Sequence, residues 1–325
     1  MMDLPVNECI HQTLSDTDKL IIDLEVTSRC NATCGFCPRS VMPDTKSFIS
    51  INTVEKLAAN IMEGPQRQVV LCGIGESLLH PHIDQIVAIL SAANAVVAMT
   101  SNGALMTEKK FRQLLNAGLK TINFSINAAT APMHEVIMGM KNFDKVIANV
   151  KSALQIKKDI NADVKINISF VACEQNIHET EAFVEKWRNS SVDQIWLHPV
   201  NNRAGLLVSG MNPVKIDSFA TKYLHDKRII VDLFRYSDEM YNICKIAKNL
   251  AFISADGTMR LCAMDYQRVT SYGNINNESL QQLQFEKLSG FLKGDYNKLC
   301  KDCDFCPSDL KNKLNHSTKE ESYSL

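Results

Sequence analysis

Lys19-Leu20-Ile21-Ile22-Asp23-Leu24-Glu25-Val26, then three residues, then Cys30-Asn31-Ala32-Thr33-Cys34-Gly35-Phe36-Cys37 is the stretch that decides the fold. Its first part is an apolar run rich in Ile and Leu, as expected of a buried strand. The cysteines fall on the loop that leaves the strand. Working outward, the same kind of strand recurs at Gln68–Leu71, Ala95–Thr100, Lys120–Ile126, Lys165–Val171 and Gln194–Pro199. Amphipathic stretches alternate with these runs at Thr53–Met62, His82–Ala92, Glu108–Ala117, Phe143–Ile156 and Ile177–Arg188. Phe143, Val146, Ile147, Val150 and Leu154 have helical spacing, and Gly118 suits a C-cap after Glu108–Ala117. Repeated strand–helix alternation predicts parallel βα units with right-handed crossovers. Such units build either a doubly wound sheet or an α/β barrel, complete or partial, and periodicity alone does not choose.

Near residue 235 the pattern changes. Leu250–Ser254, Ala255-Asp256-Gly257 and Thr258–Cys262 form a strand, a glycine turn and a second strand, the signature of a hairpin. A helical stretch, Leu280–Leu292, follows. The expected organisation is an N-terminal extension at 1–17, an α/β domain at 18–235, a small α+β cysteine-rich domain at 236–310 and a polar tail at 311–325.

Composition fits a globular chain: 325 residues, 45% hydrophobic and 22% charged. With 35 Lys+Arg against 36 Asp+Glu the net charge is -1, which argues against a strongly basic nucleic-acid binder. No apolar run reaches about 18 residues, so no membrane partner is expected. Met1–Thr13 has neither a basic segment nor a long apolar core, so no secretory signal is expected and the chain is read as cytoplasmic. The 11 cysteines of a long chain without such a signal point to metal or redox chemistry rather than disulfides.

Three thiolates on Cys30, Cys34 and Cys37 suit three irons of a cubane [4Fe–4S] cluster, with the fourth iron open to a ligand. The plainer alternatives are a zinc site or buried thiols, but zinc prefers four ligands and no fourth lies nearby. This CxxxCxxC, with the aromatic Phe36 before its last cysteine, resembles the signature of the radical S-adenosylmethionine (SAM) superfamily. The resemblance implies a partial (β/α)6 TIM-like barrel, α/β in class. It implies that the open iron binds the amino and carboxylate groups of SAM. The reduced cluster then cleaves SAM to a 5′-deoxyadenosyl radical, which takes hydrogen from an unactivated carbon. It also implies an external electron donor such as flavodoxin or ferredoxin.

Other motifs follow in order. Leu71-Cys72-Gly73-Ile74-Gly75-Glu76 resembles the family's glycine–glycine–glutamate loop, with Gly75 close to the ligand and Glu76 accepting from the SAM ammonium. Thr100-Ser101-Asn102-Gly103 resembles the Thr-Asn-Gly segment after the third strand. Ser125-Ile126-Asn127 resembles the segment that contacts the SAM carboxylate and ribose, and strand alternation puts Ser125 and Asn127 on one side. Relatives often carry an arginine near position 138; here stand Met138 and, close by, Lys141.

Cys244, Gly257, Cys262 and then Cys300-Lys-Asp-Cys303-Asp-Phe-Cys306 resemble the C-terminal SPASM/twitch extension of radical SAM enzymes, and Tyr272-Gly273-Asn274-Ile275 resembles its Gly-Asn-Ile segment. One fully ligated [4Fe–4S] cluster takes four thiolates, and this region has five cysteines. The resemblance assigns Cys244, Cys262, Cys300 and Cys303 to one auxiliary cluster, with Cys303 and Cys306 an alternative pair. Zinc held by four cysteines is the rival occupant.

Among the lone signals, His80 and His82 either reach the active-site mouth or, as is commoner, sit at a helix start, and Trp187 and Trp196 are read as core. His198 ends the sixth strand, and Arg203 is either a bidentate substrate contact or a solvated loop charge. Cys72, Cys173 and Cys306 are left over as candidate hydrogen donors, with buried small hydrophobes as the plain alternative for the first two.

The expected activity is a radical SAM oxidation or epimerisation of a small polar, sugar- or cyclitol-like substrate. The alternative is modification of a ribosomally made peptide. Peptide-modifying relatives often add a leader-binding domain before the barrel, and only about 17 residues precede the first strand here. The molybdopterin-forming GTP cyclase has similar length, but the end Glu320-Glu321-Ser322-Tyr323-Ser324-Leu325 lacks its glycine-rich tail. A reading of another class is a non-catalytic iron–sulfur electron carrier or a zinc-stabilised interaction protein.

Overall fold

A computed structural model describes residues 20–43, 47–207, 211–232, 237–238, 243–293 and 297–305. Cys306, the extension and the polar tail lie outside the described residues. Seven strands run parallel: β1 (Ile21–Leu24), β2 (Arg67–Leu71), β3 (Ala95–Ser101), β4 (Thr121–Ser125), β5 (Lys165–Ala172), β6 (Gln194–Pro199) and β7 (Ile229–Val231). Between them lie α1 (Ile51–Met62), α2 (Ile83–Ala92), α3 (Glu108–Asn116), α4 (Ala131–Met138), α5 (Phe143–Asp159), α6 (Thr180–Arg188) and α7 (Asp217–Lys222). The strands neighbour one another in unbroken chain order. A doubly wound sheet would reverse that order at a switch point. Unbroken order with right-handed crossovers instead keeps the helices on one side and curls the sheet into a partial barrel.

β7 has only three residues behind the polar Lys227-Arg228, too few for a period-2 signal. α4 escapes the apolar pattern because its eight residues begin with Ala131-Pro132. Pro132 fits there, since the first turn of a helix has no use for its missing N–H. Ser50, Thr107 and Thr130 cap α1, α3 and α4 by accepting amides of Thr53, Lys110 and Met133 at 3.0, 3.2 and 3.4 Å.

The remaining elements are β8 (Ser237–Asp238), β9 (Ile243–Cys244), α8 (Lys245–Asn249), β10 (Leu250–Ile253), β11 (Met259–Arg260), α9 (Leu280–Lys293) and α10 (Asn297–Cys300). The expected hairpin forms from β10 and β11, with Gly257 left-handed at φ 83° in its turn. It does not stand apart from the barrel. β10 runs parallel to β1, with Leu250 opposite Ile21 and Ile253 opposite Leu24, so the sheet has nine strands. This pairing covers an edge of β1 that would otherwise expose its amides and carbonyls.

Alternation sets the two faces. Ile22, Leu24, Ile122, Phe124, Ile166, Ile168, Ile195 and Leu197 are buried in the core. On the opposite face lie Asp23, Asn123, Ser125, Asn167, Ser169, Trp196 and His198. Ser125 sits opposite Ser169, and Ser169 opposite Trp196. Trp187 is core, but Trp196 is half-buried on this inner face, because alternation with Ile195 and Leu197 turns it inward. The barrel interior is therefore polar, and its upper end opens onto the cysteine loop.

Candidate active site

The loop after β1 is fastened to the C-terminal end of α4. The amide of Thr33 donates to the Met138 carbonyl at 3.1 Å, and that of Gly35 to the Ile137 carbonyl at 3.0 Å. These carbonyls have no partner within their own helix, so the cysteine loop completes the helix end. Gly139 follows at φ 63°, where a Cβ would stand 2.0 Å from Thr33 Oγ1. Only glycine gives both the turn and the close approach. Cys30, Cys34 and Cys37 are half-buried and line one cavity of about 630 Å³. Phe36, Gly75, Glu76, Asn102, Ser125 and Asn127 line the same cavity. Sequence positions almost a hundred residues apart thus meet because each follows a strand of one parallel sheet.

Burial pushes the Cys34 thiol up to about 12, and its neighbours Cys37 and Cys30 push the same way. Cys30 is raised as well, first by burial. Such thiols are neutral at pH 7 unless a metal centre takes the place of the proton.

Glu76 is 3% exposed and fully engaged. Its carboxylate accepts the Asn102 amide at 2.8 Å, the Ser101 hydroxyl at 2.8 Å and the Leu78 amide at 3.2 Å. Burial raises its pKa, and these hydrogen bonds oppose that rise. Asn102 Nδ2 donates to Asn31 Oδ1 at 2.8 Å, tying the β3 loop to the cysteine loop. Ser125 Oγ stands 3.3 Å from Ser169 Oγ. Asn127 is left-handed at φ 59°, a conformation that Asn tolerates better than most residues. Its Oδ1 accepts the Val171 amide at 2.8 Å, and its Nδ2 reaches Met138 Sδ at 3.1 Å. Met138 also stands 3.7 Å from Cys34 Sγ, so a thioether occupies the wall at that position. Lys141 lies apart, its ammonium 3.2 Å from Glu135 on the surface.

The far wall comes from Arg203, Ala263, Met264 and Tyr266. Arg203 Nε donates to the Phe36 carbonyl at 3.0 Å, Nη1 to Tyr266 Oη at 3.2 Å, and the guanidinium lies 5.6 Å from the Phe36 ring centroid. Arg203 is therefore a brace between the cysteine loop and the loop after β11, not a solvated charge. Met264 and Tyr266 were not singled out in sequence; their only signal is that they closely follow Cys262.

Cys244, Cys262, Cys300 and Cys303 form a second group, each 7–9% exposed. They share an apolar pocket with Ile246, Leu261, Leu299 and Phe305. Burial, above all, pushes the Cys262 thiol far up, and Cys244 and Cys303 add to that. Met264 lines this pocket as well as the main cavity. Asn202 joins the two regions from the barrel side. Its amide donates to Asp304 Oδ2 at 2.6 Å, and its Oδ1 accepts the Asp304 amide at 3.2 Å.

The leftover residues are placed unequally. Cys72 lines the main cavity and its thiol is hydrogen-bonded to Asp23. Cys173 is fully buried, away from the cavity lining, with its thiol 3.3 Å from Gln175 Oε1. His80 is also buried, with Nε2 3.0 Å from the Ile49 carbonyl and Nδ1 accepting the His82 amide at 3.2 Å. His198 stacks on Trp196 with Nδ1 3.4 Å from Asp232.

The radical SAM superfamily model matches residues 24–186, and that of SPASM, an iron–sulfur cluster-binding domain, matches residues 244–304. The chain belongs to the radical SAM superfamily. This radical SAM chain, with its C-terminal SPASM domain, is 22% identical over 252 residues to the tungsten-containing aldehyde ferredoxin oxidoreductase cofactor-modifying protein of Pyrococcus furiosus, covering 76% of this chain and 66% of that one. It is 32% identical over 184 residues to a probable GTP 3′,8-cyclase of Saccharolobus islandicus, covering 54% of this chain and 56% of that one. The chain thus spans less than two thirds of the length of these curated relatives. Among solved structures, it resembles Streptococcus suis SuiB bound to precursor peptide SuiA, with TM-score 0.68 and 14% identity over 92% of this chain and 73% of that one. It also resembles BtrN in complex with AdoMet and 2-DOIA, with TM-score 0.55 and 18% identity over 87% of this chain and 92% of that one. These structures share the partial-barrel fold.

Membership implies SAM, a SAM-binding [4Fe–4S] cluster and an auxiliary iron–sulfur cluster. The donor sets fit these groups: three thiols at the mouth of a large cavity, and four thiols around an apolar pocket. Among the described residues, no three His, Cys, Asp or Glu side chains close on a single metal-ion point. A cubane cluster spreads its ligands over separate corners, so its thiols need not meet at one point. Among the described residues no helix is long and apolar enough to cross a membrane.

Proposed function

We propose that this radical SAM enzyme oxidises a small polar substrate of sugar or cyclitol type by two electrons. Cys30, Cys34 and Cys37 would hold the SAM-binding cluster, and Cys244, Cys262, Cys300 and Cys303 the auxiliary one. When bound, these groups supply a one-electron cleavage of SAM to a carbon radical and, at the second site, an acceptor for one electron. An external donor of the flavodoxin or ferredoxin type supplies the electron for the first event.

The protein's own residues position the reactants. Gly75 lets the β2 loop close on the cysteine loop, and Glu76, Asn102, Ser125 and Asn127 give that wall fixed polar groups. Arg203 and Tyr266 brace the wall opposite. In the balanced reaction a C–H bond loses its hydrogen atom, the adjoining hydroxyl loses a proton, and one electron leaves. The product is a carbonyl. Met264 carries the oxidative reading. Among the described residues it is the one that lines both the substrate space and the four-cysteine pocket, so the two meet at its side chain. Among the described residues epimerisation has less support, because Cys173 does not line the cavity and the thiol of Cys72, which does, is engaged by Asp23.

Peptide modification is the second reading, favoured by the likeness to SuiB with its bound precursor peptide. The test offers the reconstituted enzyme, with SAM and a one-electron donor, aminocyclitols, aldoses, GTP and a linear peptide in turn. Loss of two hydrogens from a cyclitol or sugar, matched by 5′-deoxyadenosine, is expected. A product of unchanged mass and inverted configuration would overturn oxidation, and turnover of the peptide alone would replace the substrate class.

A further inference from the structure

Lys287 stands where a leucine belongs. On α9 it falls between Leu283 and Phe291 on one helical stripe, and those two are 1% and 2% exposed. Lys287 itself is 0% exposed. Its Nζ donates to the Leu250 carbonyl of β10 at 2.6 Å. An ammonium carries three N–H donors, and among the described residues this carbonyl is its only hydrogen-bond partner. No carboxylate among the described residues acts on it. A buried charge left in that state is costly, and chains normally avoid it by pairing the charge or placing an apolar residue instead.

Phe291, one turn along the same stripe, packs in one buried cluster with Cys244, Cys262, Cys300 and Cys303, so α9 carries Lys287 to the edge of the four-thiol site. Burial pushes the Lys287 pKa down to about 7, and Cys262 and Cys244 are what pull it back. Neutral thiols do little for an ammonium. Thiolates bound to a cluster are anionic, and a cubane with four of them carries net negative charge. The apparent defect is thus repaired once the four cysteines are occupied.

We propose that Lys287 is the buried counter-ion of the auxiliary cluster and holds its reduction potential up. This rests on reading Cys244, Cys262, Cys300 and Cys303 as that cluster's ligands. Reduction adds one negative charge to the cluster. A fixed cation nearby in a dry interior stabilises the reduced state more than the oxidised state. Lys287 touches neither SAM nor substrate in this role. It acts through the cluster and favours acceptance of an electron.

The test uses the full-length chain carrying Cys30→Ala, Cys34→Ala and Cys37→Ala, so that iron and electron paramagnetic resonance report the auxiliary site. Lys287→Met and Lys287→Arg are compared with this parent after anaerobic reconstitution. Lys287→Met should keep about four irons and titrate at a more negative midpoint potential, while Lys287→Arg stays near the parent. Loss of iron in Lys287→Met but not in Lys287→Arg supports the same role, since only the charge separates them. An unchanged potential in a fully loaded Lys287→Met, or loss of iron in both variants, overturns it. Adding Cys262→Ala to the parent checks the underlying reading separately: retained iron there would remove the ligand assignment, whatever Lys287 does.

Discussion

The amide of Glu76 donates to the carbonyl of Arg29 at 2.8 Å, which joins the loop after β2 to the loop that carries the cysteines. Gly75 makes the approach possible. A Cβ there would stand 2.1 Å from the Thr27 carbonyl oxygen and 2.6 Å from that of Arg29. Both obstacles are backbone, so no side-chain rotation relieves them.

Gly75→Ala should therefore separate the two loops. We expect a loss of about 1–3 kcal/mol of stability, as for other substitutions that force packed backbone apart. SAM affinity should fall with it, since the shared wall moves. Denaturant unfolding and equilibrium SAM binding of the reconstituted protein check both. A variant with unchanged stability would show that the loops yield more easily than this contact implies.

The sequence made the barrel and cysteine motifs legible because their signals are local. A strand end followed by Cys30-Asn-Ala-Thr-Cys34-Gly-Phe-Cys37, or by Gly75-Glu76, needs no distant partner to be recognised. What stayed hidden depends on packing between distant segments. The pairing of Leu250 with Ile21 places the hairpin on the barrel sheet, and no property of either strand announces it. Arg203 looked equally apt for a substrate or for solvent, because its partners Phe36 and Tyr266 lie 167 and 63 residues away. Nothing in the sequence marks Lys287; only the burial of its stripe, with Leu283 and Phe291, sets it apart.

Replacing Cys30, Cys34 and Cys37 together by Ala should abolish 5′-deoxyadenosine formation and leave about four irons at the second site. Iron counting and product chromatography on one preparation measure both. SAM cleavage by that variant would be incompatible with the assignment.

Cys262→Ala should remove about four irons from the wild-type chain. It should also weaken the packing of Leu261, Phe291, Leu299 and Phe305, which surround the four thiols. Metal binding and folding are coupled in such sites, so this region should lose amide-exchange protection before the barrel does. Full iron content in the variant would move the ligand set elsewhere.

Asp23 gives a pH prediction. Burial raises its carboxyl from 3.8 to about 6, against the pull of the Cys72 hydrogen bond. The folded chain therefore holds this proton more tightly than the unfolded chain. The associated stability is present below the unfolded value and is lost as pH rises through about 6. At pH 7.5 the fold carries an ionised carboxylate that it disfavours. Asp23 is half-buried on the inner face, so the penalty is on the order of 1–2 kcal/mol rather than the full linkage value. Asp23→Asn should gain about that much at pH 7.5 and little below about pH 4. Equal gains at both would point to packing instead of charge.

The fate of the substrate radical separates oxidation from epimerisation, and the cysteines bear on it. Epimerisation needs a hydrogen donor on the face opposite the attack, and a thiol is the natural one. Cys173 is sealed away from the cavity lining, with its Sγ held near Gln175 and Met211 at 3.3 and 3.8 Å. Cys72 reaches the cavity, but its thiol is engaged in a hydrogen bond with the Asp23 carboxylate. Oxidation needs no donor, only a proton acceptor and a path for one electron. With a turned-over substrate in D2O we expect no solvent deuterium at the attacked carbon, in product or in recovered substrate. Cys72→Ala and Cys173→Ala should turn over close to the wild-type rate. Met264→Ala should slow product formation more than SAM cleavage, because the substrate space and the four-cysteine pocket meet at that side chain. Deuterium at that carbon in the wild type, absent in Cys72→Ala, would identify Cys72 as a donor and replace oxidation with epimerisation.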